Sequence, residues 1–139
     1  MFTREKFEEY FNSFNNRQYD IFPKFYADDI VYVMDANNGK IFHGPQAIVD
    51  LYRELHQYFD EEVAIENIAI TDSMIAVEVP TLLRCKREFN LEGFVPIPEG
   101  QTCKMMCFNH YDLNAEGKFK RIRVAIHSIE YLNSVGHSQ

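Results

Sequence analysis

Around Asp60 the apolar period of this chain changes from 3.6 residues to 2, and that change orders the architecture as helices first and strands after. Ahead of it, Phe7, Tyr10, Phe11 and Phe14 recur at i, i+3, i+4 and i+7, the stripe of an amphipathic helix with Thr3 as its N-cap. Asn15-Asn16-Arg17 ends that helix, and Asp20 to Tyr26, with Pro23 near its first turn, predicts a short second one. Ile30 to Met34 is apolar and β-branched, and Asn38-Gly39 makes a hairpin turn between it and Ile41-Phe42-His43. From Pro45 the stripe Ile48, Leu51, Tyr52, Leu55 and Phe59 predicts a long third helix.

Beyond the change of period, Val63 to Ile70 reads as one strand and Thr71-Asp72-Ser73 as a turn. Met74 to Arg87 reads as a longer strand that Pro80 bends or bulges. Phe89 to Gly100 mixes apolar and turn residues, so it predicts a loop that buries Phe94 and Ile97, as a lid or as a dimer contact. Thr102 to Leu113 and Lys118 to Leu132 are two further strands, joined by Asn114-Ala115-Glu116-Gly117. Residues 1–139 hold no repeat or linker and match the usual size of one domain, here of the α+β class.

Charge and cysteine usage narrow the partners. With 14 Lys+Arg against 21 Asp+Glu the net charge is −7, which leaves no basic footprint for a nucleic acid or an anionic membrane. Small molecules and other proteins remain. The charged start Met1-Phe2-Thr3-Arg4-Glu5-Lys6 is unlike a signal peptide, no stretch has the length of a membrane span, and the expected compartment is cytoplasmic. Cys85, Cys103 and Cys107 are an odd set that fits free thiols. On a strand, Cys103 and Cys107 would stand roughly 13 Å apart, too far to share a zinc ion. The histidines show no ligand spacing either, so no metal is expected.

The order helix, short helix ending in Phe25-Tyr26-Ala27-Asp28-Asp29, hairpin closing on His43-Gly44-Pro45, helix, then a four-strand meander resembles the nuclear transport factor two-like superfamily, with its SnoaL-like proteins, over nearly the whole chain. The resemblance implies a cone-shaped, strongly curved and mostly antiparallel sheet wrapped around three N-terminal helices, one apolar pocket, and a homodimer. Its members include isomerases, dehydratases, polyketide cyclases, epoxide hydrolases and non-catalytic binding modules, so the fold alone selects no function.

At residue level the chain is most similar to ketosteroid isomerase. Tyr10 falls on the tyrosine that donates to the enolate, Tyr26 and Tyr52 fall on the two tyrosines networked behind it, and Asn109 falls on the second oxyanion donor. Asp35 lies one residue beyond the place of the proton-shuttling aspartate, which Met34 occupies, and one residue of slip turns a strand side chain to the other face. Each of these residues also has a plain structural reading. Tyr10, Tyr26 and Tyr52 can be core residues with tied hydroxyls, Asp35 can accept turn amides, and Asn109 can be a satisfied core amide. The alternation Met105, Cys107, Asn109, Tyr111 puts Asn109 on the apolar face.

Other proton carriers come into question. His56 borders the third helical stripe, His43 ends the hairpin, His127 sits on the last strand, and Glu78 interrupts an apolar strand with its face undecided. The basic residues Lys118, Lys120, Arg121 and Arg123 read as a solvated or dimer-facing surface paired with acids. The expected protein binds a small, apolar, oxygenated substrate of polyketide, terpenoid or steroid type and moves a proton next to its carbonyl without a cofactor. Phe14, Tyr26, Tyr52, Phe59 and Phe94 would form the binding walls. The competing reading is a non-catalytic binding or dimerisation module of the same fold.

Overall fold

In the computed structural model, which describes residues 1–34 and 39–133, Thr3 caps the first helix by accepting from the Lys6 amide at 3.1 Å. Helix α1 (Arg4–Asn15) buries Phe7, Tyr10, Phe11 and Phe14, the predicted stripe. The chain leaves it through Arg17 in the left-handed region (φ 57°), and the Gln18 amide closes back on the Ser13 carbonyl at 3.0 Å.

The predicted second helix shrinks to one 3-10 turn, Phe22–Phe25. Pro23 supplies no N–H, and Tyr26 already runs extended as the first residue of β1 (Tyr26–Met34), opposite Phe119. Strand β2 (Lys40–His43) pairs antiparallel with β1. The Asn38 half of the predicted turn and Asp35 lie outside the described residues. Gly44, at φ 87°, then starts α2 (Pro45–Leu55), with Pro45 in its first turn.

That helix stops four residues before Phe59, which opens β3 (Phe59–Val63) instead. The predicted strand from Val63 is two strands, β3 and β4 (Asn67–Ile70), both laid antiparallel on β5 (Met74–Cys85). Pro80 accounts for the interruption. Its carbonyl accepts from the Ala64 amide at 3.0 Å, but it has no N–H to return on that side, and the neighbouring strand breaks there. On its other side β5 keeps unbroken register with β6 (Thr102–Leu113), from Met74 opposite Asp112 to Arg84 opposite Thr102. The irregularity expected in the proline strand thus sits in its neighbour.

Strand β7 (Phe119–Asn133) completes a mixed sheet of order β2-β1-β7-β6-β5-β3, in which, among the described residues, only β1 with β7 is parallel. Two helices and this strongly curled sheet make a half-barrel, and the core fills its concave side. Asn15 fastens α1 to the far edge: its side-chain amide donates to the Val63 carbonyl and accepts from the Val63 amide, both at 2.9 Å. This clamp places β3 against the helix that carries Tyr10. Among the described residues no helix is long and apolar enough to cross a membrane.

Candidate active site in an apolar cavity

The concave face encloses a cavity of about 160 Å³ between α1, α2 and the inner rows of β3, β5, β6 and β7. Strand alternation builds most of its wall. Met105, Cys107, Asn109 and Tyr111 all line it, as their period-2 spacing predicts. Phe14, Tyr52, Phe59 and Phe94 line it as well, together with Tyr10. Tyr26 does not; it is buried behind Tyr10, and their hydroxyls are 2.8 Å apart.

The loop 89–100 roofs the cavity. Phe89 and Ile97 exchange both backbone hydrogen bonds at 2.9 Å, which turns Phe94 inward. Lys40 holds the loop from β2, donating to the Glu92 carbonyl at 3.2 Å with its ammonium 5.1 Å from the Phe94 ring centre.

Three polar groupings break the apolar wall. First, Tyr10 pairs with Tyr26. Second, Tyr52 pairs with Tyr32, so its hydroxyl turns away from the Tyr10 network that the isomerase resemblance implies. Burial raises the pKa of all four tyrosines above the usual phenol range, and they stand as O–H donors across ordinary pH. Third, Asn109 donates from Nδ2 to the Tyr111 hydroxyl at 3.1 Å, while its buried Oδ1 has no partner among the described residues.

The carboxylate of the wall is one that sequence reasoning missed. Among the described residues Glu61 is the only acidic side chain lining the cavity, and Lys40 the only cation. Glu61 Oε1 accepts from His56 Nε2 at 2.9 Å, and His56 Nδ1 lies 2.7 Å from the Tyr19 hydroxyl. An ionised carboxylate only accepts, so Nε2 is the donor. The Glu61 and His56 side chains are 13% and 4% exposed, and Oε2 has no hydrogen-bond partner among the described residues. A period-2 pattern started at Phe59 would have found Glu61, since Phe59, Glu61 and Val63 alternate with exposed Asp60 and Glu62. The helical assignment of Phe59 hid it.

The histidine and acid candidates divide accordingly. His56 does not line the cavity but holds the group that does. His43 is exposed. His127 is corrected as a pocket residue: it is the extra residue of a bulge between the pairs Cys107–Ile126 and Met106–Ser128, exposed and stacked on Phe108 with ring centres 4.7 Å apart. That bulge is what lets both Ile126 and Ile129 face inward. Glu78 stands between buried Val77 and Val79 on the opposite face, where the Asn67 amide donates to it at 2.6 Å. Within the basic run Arg121 pairs with Asp112 at 2.8 Å and Arg123 with the same oxygen at 3.6 Å, while Lys118 donates to the Lys24 carbonyl at 2.8 Å.

The three cysteines are free and buried, and burial pushes the Cys103 and Cys107 thiols up to about 11. Thiolate chemistry has no foothold there.

The SnoaL-like domain matches residues 7–122 of this sequence. The chain belongs to that family, within the nuclear transport factor two-like superfamily. A search of curated protein sequences returns no match. Solved structures share the SnoaL-like fold at low identity. One is a candidate polyketide cyclase from Xanthomonas campestris pv. campestris, with TM-score 0.71 and 17% identity over 84% of this chain and 83% of that one. Another is the epoxide hydrolase/cyclase-like enzyme SalBIII, described in pyran ring formation in the polyether salinomycin, at 0.70 and 16% over 92% and 94%. A third is a candidate ketosteroid isomerase from Kribbella flavida, at 0.65 and 16% over 93% and 79%.

Proposed function

We propose that this SnoaL-like chain is a cofactor-independent enzyme that takes a small, largely apolar, oxygenated substrate into the cavity and moves a proton next to its carbonyl. The observation that carries the reading is Glu61: a carboxylate on an apolar wall, one oxygen fixed by His56 and the other open. In this reading Oε2 takes the proton from the carbon, and the electron pair passes into the carbonyl to leave an enolate oxygen. The protonated Glu61 then returns the proton to a different carbon, or to a departing hydroxyl, giving isomerisation or dehydration. Tyr10 supports the enolate if Tyr26 donates to Tyr10, since the Tyr10 proton is then free to point into the cavity. The family membership and the cyclase-like and isomerase-like neighbours agree with this chemistry.

Hydrogen–deuterium exchange beside the carbonyl of 2-decalone, followed by NMR, tests the reading without the natural substrate. The chain should accelerate exchange, Glu61→Gln should lose about a hundredfold or more, and Tyr10→Phe about a hundredfold. Exchange no faster than in buffer, or unchanged in Glu61→Gln, overturns it. One observation favours the second reading, a binding module: among the described residues the Tyr10 hydroxyl has another tyrosine as its one hydrogen-bond partner, and no carboxylate or imidazole bonds to it. Ligand binding without exchange is its signature.

A further inference from the structure

Asn109 is 7% exposed, lines the cavity, and leaves Oδ1 without a partner among the described residues. A buried amide oxygen without a donor costs about 1–3 kcal/mol. Its neighbour is unfinished too. Tyr111, 2% exposed, accepts from Asn109 Nδ2, and among the described residues no acceptor takes its own hydroxyl proton. Burial raises the Tyr111 pKa, so that proton stays on.

The pair therefore leaves one acceptor, Oδ1, and two donors, the Tyr111 O–H and the second Asn109 N–H. Reversing the amide keeps this mixed character, because Tyr111 would then donate to Oδ1, leaving both Asn109 N–H groups as donors and a Tyr111 lone pair as the acceptor. Either arrangement fits a group that donates and accepts at once. A ketone or enolate oxygen, which only accepts, completes half of it.

Position sets the rest. Asn109 lies on β6 opposite Val77 of β5, and Glu61 lies on β3 opposite Leu83 of the same strand. The two polar groups therefore stand opposite β5 residues six positions apart, at separate ends of the cavity with apolar wall between them.

From the Asn109–Tyr111 pair we infer that the ligand of this cavity is a hydroxylated molecule: an alcohol, phenol or enol whose hydroxyl sits on that pair, apart from the group that Glu61 addresses. The inference rests on the cavity being the ligand site of the proposed function, and it narrows the substrate from oxygenated to hydroxyl-bearing.

The test compares 2-decalol, 2-decalone and decalin binding to the full chain by calorimetry. The alcohol should bind about tenfold more tightly than the ketone, with decalin weakest. Asn109→Leu and Tyr111→Phe should each bring the alcohol-to-ketone ratio within about twofold; should one variant fail to fold, the other carries the comparison. Equal or tighter ketone binding by the native chain, or a ratio that survives both substitutions, overturns the inference. The same ratio measured in Glu61→Gln keeps the two readings apart. Lost exchange with the alcohol preference intact leaves the hydroxyl site standing, and a flat ratio with exchange intact removes only the hydroxyl site.

Discussion

The two polar clusters of the cavity differ in how far the protein completes them. At the β3 end, both ring nitrogens of His56 are engaged, by Tyr19 and by Glu61, and the carboxylate is held in one orientation. At the β6 end, Asn109 and Tyr111 bind each other and leave an acceptor and two donors open, the acceptor deeply buried. The first arrangement presents a group already positioned, which suits a base that must be aimed before substrate arrives. The second is finished only by something that enters, which suits recognition. A cavity that spends stability at one end and fixes a charge at the other is divided between holding and reacting.

High pH acts on the buried hydroxyls and thiols around both clusters and should give the largest effect. Burial raises the pKa of Tyr10, Tyr26, Tyr32, Tyr52 and Tyr111, and lifts the Cys103 and Cys107 thiols from their ordinary value near 9 to about 11. The native state therefore holds these protons after the unfolded chain has released them. The thiol contribution to stability is complete below about pH 9 and is lost as pH rises from 9 towards 11, with the tyrosines extending the loss upward. Urea unfolding across that range should show a falling midpoint, and a flat midpoint would contradict the enclosed hydroxyl and thiol wall.

Next in size, His56→Leu removes the donor that Glu61 needs while leaving the carboxylate buried, a loss of about 3 kcal/mol. Glu61→Gln should cost less, because an amide oxygen still accepts from His56 Nε2. Thermal melts of the two variants rank them directly, and the opposite order would show that His56 is not what fixes Glu61. Smaller again, Tyr26→Phe leaves the Tyr10 hydroxyl without its partner and should cost about 1–2 kcal/mol. Adding Tyr10→Phe should restore part of that loss, since removing both partners leaves no stranded hydroxyl.

The sequence carried the fold further than the site, for a physical reason visible in Phe59. Periodicity reports which residues face the core, and it located the Tyr10 stripe and the inner row of β6. It fails where a helix hands over to a strand, because an apolar residue there fits either period. Phe59 read as helix hides Glu61; Phe59 read as strand turns Glu61 inward. His127 shows the complementary failure, a bulge that no alternation count contains. The pairing of Tyr52 with Tyr32 was equally out of reach, because it depends on how far α2 and β1 approach across the curl of the sheet. Pro80 was legible as a disturbance, but its missing donor acts on the strand beside it.

The smallest expected effect carries the opposite sign and sharpens the comparison most. Asn109→Leu replaces a buried amide with an apolar side chain of similar size on a wall that already includes Met105, Cys107 and Val124. It removes the stranded Oδ1 and, combined with Tyr111→Phe, also the hydroxyl that Asn109 partners, so the double variant should be more stable than the native chain by about 1 kcal/mol. Asn109→Leu alone strands the buried Tyr111 hydroxyl, a loss of the same kind as in Tyr26→Phe that offsets the gain, so the double variant is the one that reads it. A fall in the melting temperature of the double variant would mean that the Asn109–Tyr111 pair is structural. A rise, seen beside the loss in His56→Leu, would mark the β6 end as the part of the cavity kept polar at the expense of stability.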